Sequence, residues 1–184
     1  MNDARAMGLP GEPAGEKLID RVLRVDHAGE YGAVRIYEGQ LAVLGRDSEA
    51  GAAVAHMAEQ ERRHLDAFEK LLPARRARPT VLQPLWHVAG FALGAATAML
   101  GPKAAMACTV AVEEVIDEHY REQIDALPEE EAELKSTLEE FRREELEHRD
   151  EALSRDATQA PGYEILTGAI KAGSRLAIWL SSRI

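Results

Sequence analysis

Of the six histidines in the chain, only His64 and His148 stand three positions after a glutamate, Glu61 and Glu145. On a helix, i and i+3 share a face, so both side chains of a Glu-x-x-His can reach one ion. A single such pair means little in a chain with 32 acidic residues. Here each pair has a companion upstream, Glu30 lying 31 residues before Glu61 and Glu113 lying 32 before Glu145. Registering Glu30 on Glu113 also superimposes Tyr37 on Tyr120 and Gln40 on Gln123, and registering Glu61 on Glu145 superimposes Asp66 on Asp150. One glutamate from each of two helices, with Glu-x-x-His from each of two others, is the ligand set of a two-metal carboxylate centre in a four-helix bundle. Carboxylates with one imidazole per ion suit iron or manganese and leave positions open for oxygen, whereas zinc sites usually carry more nitrogen or sulfur.

The elements that must position these residues are readable from periodicity. Four segments keep apolar residues at three-and-four spacing: about 16–44 through Val22, Leu23 and Tyr37; about 49–72 through Met57, Leu65 and Phe68; about 102–127, with Pro102 at its first turn; and from the "PEEE" at 128–131 to about 153 through Leu134, Leu138 and Phe141. Nothing reads as a strand or hairpin ladder. The stripes run through Asp26 and Glu30, Glu61 and His64, Glu113, and Glu145 and His148. A bare buried carboxylate costs several kcal/mol, so four of them on core faces call for cations between them. Short turns pair the first helix with the second and the third with the fourth, and the distances from each turn bring the lone glutamate and its Glu-x-x-His to similar levels at ~1.5 Å per residue. Only the connection 73–101 is long, and it carries an apolar segment of its own.

The 184 residues, 46% apolar and 29% charged, suffice for one domain with a single core. One cysteine, Cys108, rules out an intrachain disulfide and fits a reducing compartment. A net charge of −10 argues against nucleic acid as a partner. Residues 1–15 read as a flexible lead-in without the apolar run of a signal peptide. Between Lys70 and Val112 there is no acid but five Lys and Arg, and the C-terminal stretch 161–184 sets Lys171, Arg175 and Arg183 against Glu164 alone.

The stretches "RVDHAGEYGAVRIYEGQ", "EQERRHLDAF", "ACTVAVEEVIDEHYREQI" and "FRREELEHRDEAL", with the terminal "AIKAGSRLAIWLSSRI", resemble the 5-demethoxyubiquinone hydroxylases (3-demethoxyubiquinol 3-hydroxylases) of ubiquinone biosynthesis from about Lys17 to Ile184. The resemblance implies an all-α, ferritin-like four-helix di-iron bundle made of two repeated hairpins, with an apolar crossover helix and a C-terminal amphipathic helix. It implies two Fe ions held by Glu30, Glu61, His64, Glu113, Glu145 and His148, with Glu61 and Glu145 bridging; Glu114 is the neighbouring alternative to Glu113, which lies on the stripe of Ile116 and Tyr120. The implied activity is O2-dependent ring hydroxylation of a polyprenyl quinol. No Gly-rich dinucleotide fingerprint is present, so electrons come from an external reductant such as NADH, a partner or the quinol itself. Tyr120 and His119 are the candidates for the quinone or electron-transfer vicinity, Tyr37 for relay or plain packing, and Asp26 for orienting a ligand imidazole. His27, His56 and His87 are expected at the surface or at headgroup level.

The uncharged run 79–102 is long enough to span a bilayer, but it contains Gln83, Pro84, His87, Gly90 and Gly94 and must cross the bundle. A monotopic helix in one leaflet is the expectation, with Trp86 near the interface, flanking cations on headgroups, and 161–184 as a second membrane-associating segment. The chain is then a peripheral membrane protein, on the cytoplasmic face of the inner membrane if bacterial or the matrix face of the mitochondrial inner membrane if a matured eukaryotic chain. Membrane lipid and a lipid-binding ubiquinone-biosynthesis protein that delivers substrate are the expected partners; the sequence sets no oligomeric state. Two rivals share the ligands: a ferritin-like iron store or ferroxidase, for which the apolar segments have no use, and an alternative-oxidase-like quinol oxidase, for which a longer chain is expected.

Overall fold

The computed structural model describes residues 15–184, so the expectation for the lead-in lies, but for Gly15, outside the described residues. Six α-helices follow in order: α1 Glu16–Leu44, α2 Glu49–Ala74, α3 Gln83–Met99, α4 Pro102–Ala126, α5 Ala132–Ser154 and α6 Tyr163–Ser181, with short 3-10 turns at Glu129–Glu131 and Ala157–Gln159. No strand occurs among the described residues. Helix α1 lies against α2 and α4 against α5, and these four form the bundle, with α3 and α6 outside it. Ser48 caps α2 by accepting the Gly51 N–H at 3.0 Å, which satisfies one of the free donors of the first turn. Helix α2 runs slightly past its expected end and carries Pro73 in its last turn.

The bundle core is layered. At the α1–α2 turn, Tyr37, Val54, Met57, Ala58, Met106 and Val110 pack together. At the other end, Val22, Leu23, Phe68, Leu72, Leu138 and Phe141 do the same. The four glutamates and two histidines of the repeat lie between these layers, and each is at most 2% exposed. Every residue from Ala104 to Glu113 is buried; small side chains let this central helix be covered by α5, α6 and the end of α3.

Helix α3 touches α1 backbone to backbone. A Cβ on Gly94 would sit 1.9 Å from the Ile36 carbonyl oxygen, and one on Gly39 would sit 2.2 Å from that of Phe91; only glycine permits such an approach. One face of the apolar run is therefore seated on protein, while the other is bare. Of the eleven large apolar side chains exposed among the described residues, nine fall within 81–100 or 165–184, including Val88, Met99, Ile165, Leu176 and Trp179. Among the described residues, no helix is long and apolar enough to cross a membrane. Not every flanking cation is turned outward as expected: Lys171 pairs with Glu114 and Arg175 with Glu118 at 2.9 Å, tying α6 to α4, and Arg75 and Lys103 pair with Glu131 and Asp156. Phe91 is half-buried beneath the Arg35 guanidinium, 5.0 Å from its ring centre.

Candidate metal centre

Each bundle helix places its candidate ligands on its inward face, and the six side chains meet at mid-height. Two overlapping sets form: Glu30, Glu61, His64 and Glu145, and Glu61, Glu113, Glu145 and His148, with the ligand atoms of each set within 4.8 Å of one another. Glu61 and Glu145 belong to both, the position of bridging carboxylates. Both imidazoles turn Nδ1 inward. That of His64 lies 3.1 Å from Glu145 Oε1 and 3.4 Å from Glu30 Oε2; that of His148 lies 3.0 Å from Glu61 Oε1 and 3.1 Å from Glu145 Oε2. Glu114, the alternative to Glu113, points away to Lys171.

The donor set fits two cations on an observation of its own. Glu30 Oε2, both oxygens of Glu61, Glu113 Oε2, Glu145 Oε1 and His64 Nδ1 are buried without a well-aligned hydrogen bond, their only near neighbours being one another and the facing imidazole, which the low dielectric inside a protein makes costly. Burial drives Glu61 and Glu113 well above the carboxylate range, and Glu145 adds to this by repulsion. Burial also opposes charge on the imidazoles, yet Glu145 and Glu30 overcome it and push His64 to about 12, while Glu145 and Glu61 push His148 to about 11.

The repeat continues into the contacts around the ligands, and those contacts cross between hairpins. Tyr37 of α1 donates its hydroxyl to Glu113 Oε1 at 2.7 Å, and Tyr120 of α4 donates to Glu30 Oε1. Burial, then the facing carboxylates, raises both phenols well above 10. His64 Nε2 donates to Glu144 Oε2 at 2.7 Å, and His148 Nε2 to Gln60 Oε1 at 3.1 Å. Sequence reasoning did not find Gln60 and Glu144, although each is the residue before a shared glutamate and the two are equivalent in the repeat. It assigned Asp26 to a ligand imidazole, but Asp26 instead accepts from Gln123 at 2.7 Å and lies 3.6 Å from His119 Nε2; one helical turn before Glu30, it faces α4 and not the ligand histidines. Asp66 is exposed and Asp150 pairs with Arg149, so neither touches a ligand. His56 and His87 are exposed, but His27 is buried, and burial lowers its pKa.

Two cavities lie along the side of the bundle where α1, α4 and α6 meet. One, about 390 Å³, is apolar and lies between α1, α3, α4 and α6, with Ala33, Ile36 and Val112 at its inner wall. Those three residues also border a small space ending on Tyr37 and Glu113, so one layer of side chains separates the cavity from the ligands. The other, about 350 Å³, is more polar and is lined by Arg21, Glu118, His119, Arg175, Trp179 and Arg183 among others. His119 thus faces the polar cavity, and Tyr120 reaches the candidate ligand Glu30.

The chain is similar to known proteins along nearly its whole length. The family described as "Ubiquinone biosynthesis protein COQ7" matches residues 17–181. A 3-demethoxyubiquinol 3-hydroxylase of Rhodospirillum rubrum is 62% identical over 176 residues, covering 96% of this chain and 83% of that protein. The human mitochondrial NADPH-dependent 3-demethoxyubiquinone 3-hydroxylase is 53% identical, covering 98% and 84%. The mitochondrial 5-demethoxyubiquinone hydroxylase of Saccharomyces cerevisiae is 44% identical, covering 91% and 78%.

Proposed function

The chain belongs to the COQ7 family of ubiquinone biosynthesis proteins, and from that premise we propose that it is a di-iron monooxygenase hydroxylating the ring of a polyprenylated demethoxyubiquinol. The observation that carries the proposal is the pair of four-residue sets sharing Glu61 and Glu145 beside an apolar cavity. Glu30 and His64 would hold one ion, Glu113 and His148 the other, with Glu61 and Glu145 between them. When bound, the two irons supply the means to activate O2. One oxygen atom enters a ring C–H bond, and the other leaves as water with two electrons and two protons from a reductant.

The protein's own residues do the rest. The apolar cavity takes the quinol ring and the start of its tail, and the bare faces of α3 and α6 meet the lipid from which the substrate comes; segments 79–102 and 161–184 hold the chain peripherally on a membrane. Ala33, Ile36 and Val112 keep bulk water from the ligands until the ring displaces them. Tyr37 and Tyr120 hold the terminal carboxylates in place. Arg21 and Arg183 on the wall of the polar cavity, with His119 beside them and Arg175 held by Glu118, supply cations for the pyrophosphate of NADH or NADPH, in agreement with the NADPH dependence in the human relative's name.

The test is incubation of the iron-loaded protein with demethoxyubiquinol, NADH and 18O2, followed by mass analysis. One labelled atom in the quinone product is expected. Oxidised but unhydroxylated quinol would make the chain a quinol oxidase, and mineralised iron without quinol turnover a ferroxidase.

A further inference from the structure

The repeat gives each ligand imidazole the same outward contact, but with chemically different partners. His64 Nε2 donates to the Glu144 carboxylate at 2.7 Å, and His148 Nε2 donates to the Gln60 amide oxygen at 3.1 Å. Both acceptors occupy one position of the repeat, immediately before Glu61 or Glu145. Glu144 is itself held by Arg63 at 3.0 Å; the residue registered on Arg63 in the other hairpin is Glu147, an acid. We propose that this substitution of carboxylate by amide makes the two metal positions unequal, the ion held by His64 being bound more tightly and favouring the higher oxidation state. The proposal rests on the two-metal reading above.

With Nδ1 turned to the metal, Nε2 carries the proton, and an anionic acceptor draws that proton outward more strongly than a neutral amide does. The imidazole then carries more negative charge and becomes the stronger ligand. Outward partners of this kind typically change metal affinity by roughly 10–100-fold. Arg63 draws on the same carboxylate oxygen and moderates the effect, which places it toward the lower end of that range. The groups offered to the two positions are otherwise matched, with one lone glutamate, one tyrosine holding it from the opposite hairpin, and two shared carboxylates, although Phe141 stacks on His64 at 4.0 Å where the residue registered beside His148 is Met57. Gln60 and Glu144 are thus positioning residues, acting through the histidines and touching neither ion.

The test is a Co(II) titration of the metal-free chain, followed by heat and visible absorption, for the wild type, Glu144→Gln and Gln60→Glu. The wild type is expected to take up two ions in resolved steps. Glu144→Gln is expected to weaken the tighter step by about 10-fold, and Gln60→Glu to strengthen the looser one by about 10-fold. In the Zn(II)-loaded protein, the most downfield imidazole N–H proton resonance is lost in Glu144→Gln, and a second such resonance appears in Gln60→Glu. Should Gln60→Glu alone fail to fold, Gln60→Glu with Glu147→Arg copies the Arg63–Glu144 pair onto the other hairpin and carries the same expectation. A purely structural role predicts that both substitutions weaken binding, and that result overturns the proposal, as do two bound ions with steps unaltered in either variant. A wild type that binds fewer than two ions refutes the two-metal reading itself, and the inequality with it.

Discussion

Replacing Gly94 by alanine tests how α3 is held and what it holds. The added Cβ would lie 1.9 Å from the Ile36 carbonyl oxygen, whereas ordinary contact begins at 3.4 Å, so the two helices must part by about 1.5 Å along that line. The obstacle is backbone, which has no rotamer to escape into. The cost therefore sits at the upper end of overpacking, about 3 kcal/mol, offset by about 1 kcal/mol from alanine's better helix propensity. A net loss of about 2 kcal/mol lowers Tm by roughly 4–8 °C in a chain of this size. The control is Gly168→Ala in α6, where no atom lies within 4 Å of the new Cβ and a rise of about 2–4 °C is expected. Thermal unfolding by circular dichroism in detergent reads both. Because α3 supplies no candidate ligand but walls the apolar cavity, Gly94→Ala retains two metals per chain while quinol hydroxylation falls. A Gly94→Ala protein as stable as the wild type would refute this account of the α1–α3 contact, and loss of metal would refute the separation of cavity wall from ligands.

Glu61→Ala and Glu145→Ala each remove a carboxylate common to both positions; Mössbauer spectra of either iron-loaded variant should lack the exchange coupling seen between the two wild-type ions. His148→Ala should abolish hydroxylation with helical content retained, while Glu147→Ala, at an exposed position, should change stability by less than ~0.5 kcal/mol and leave turnover nearly intact; equal losses in product assays would place the wrong face of α5 inward. Burial opposes protonation of His64 and His148, but the facing carboxylates raise them to about 12 and about 11, above the unfolded value near 6.5. Their contribution to metal-free stability is therefore full below about pH 6.5 and is lost as pH rises through the folded values; denaturant unfolding across pH 6–11 checks the sign, and metal binding at pH 8 should release at least two protons in calorimetry. Val88→Asp with Leu176→Asp, both on bare apolar surface, should abolish binding to neutral liposomes in a flotation assay.

The gathering of the six candidate ligands was legible because metal chemistry restricts residue type and spacing together. A solvated, salt-bridged surface gives no reason for two Glu-x-x-His in one chain, each with its lone glutamate at a matching distance. The hairpins were legible because apolar stripes ended at short turns. What lay outside ligand chemistry was less so. Asp26 sits on the same stripe as Glu30, but stripe membership fixes a face and not a partner, and its partners Gln123 and His119 come from α4. Gln60 and Glu144 sit beside ligand glutamates in sequence, yet an adjacent residue on a helix points about 100° away, so nothing local announced that each reaches the opposite hairpin's histidine. The seat of α3 was written in Gly90 and Gly94, with Gly39 of α1 opposite them, but glycines in an apolar run read equally as interruptions of a membrane segment, and only the neighbouring helix distinguishes the two.

The crossing contacts bear on ancestry. Tyr37 holds Glu113 while Tyr120 holds Glu30, and the residue before each shared glutamate holds the other half's histidine. Neither hairpin owns a complete candidate set; each supplies three of the four residues of one set and one of the other. This is the pattern expected of a two-fold homodimer whose subunits were later joined end to end, with the connection at 73–101 as the join.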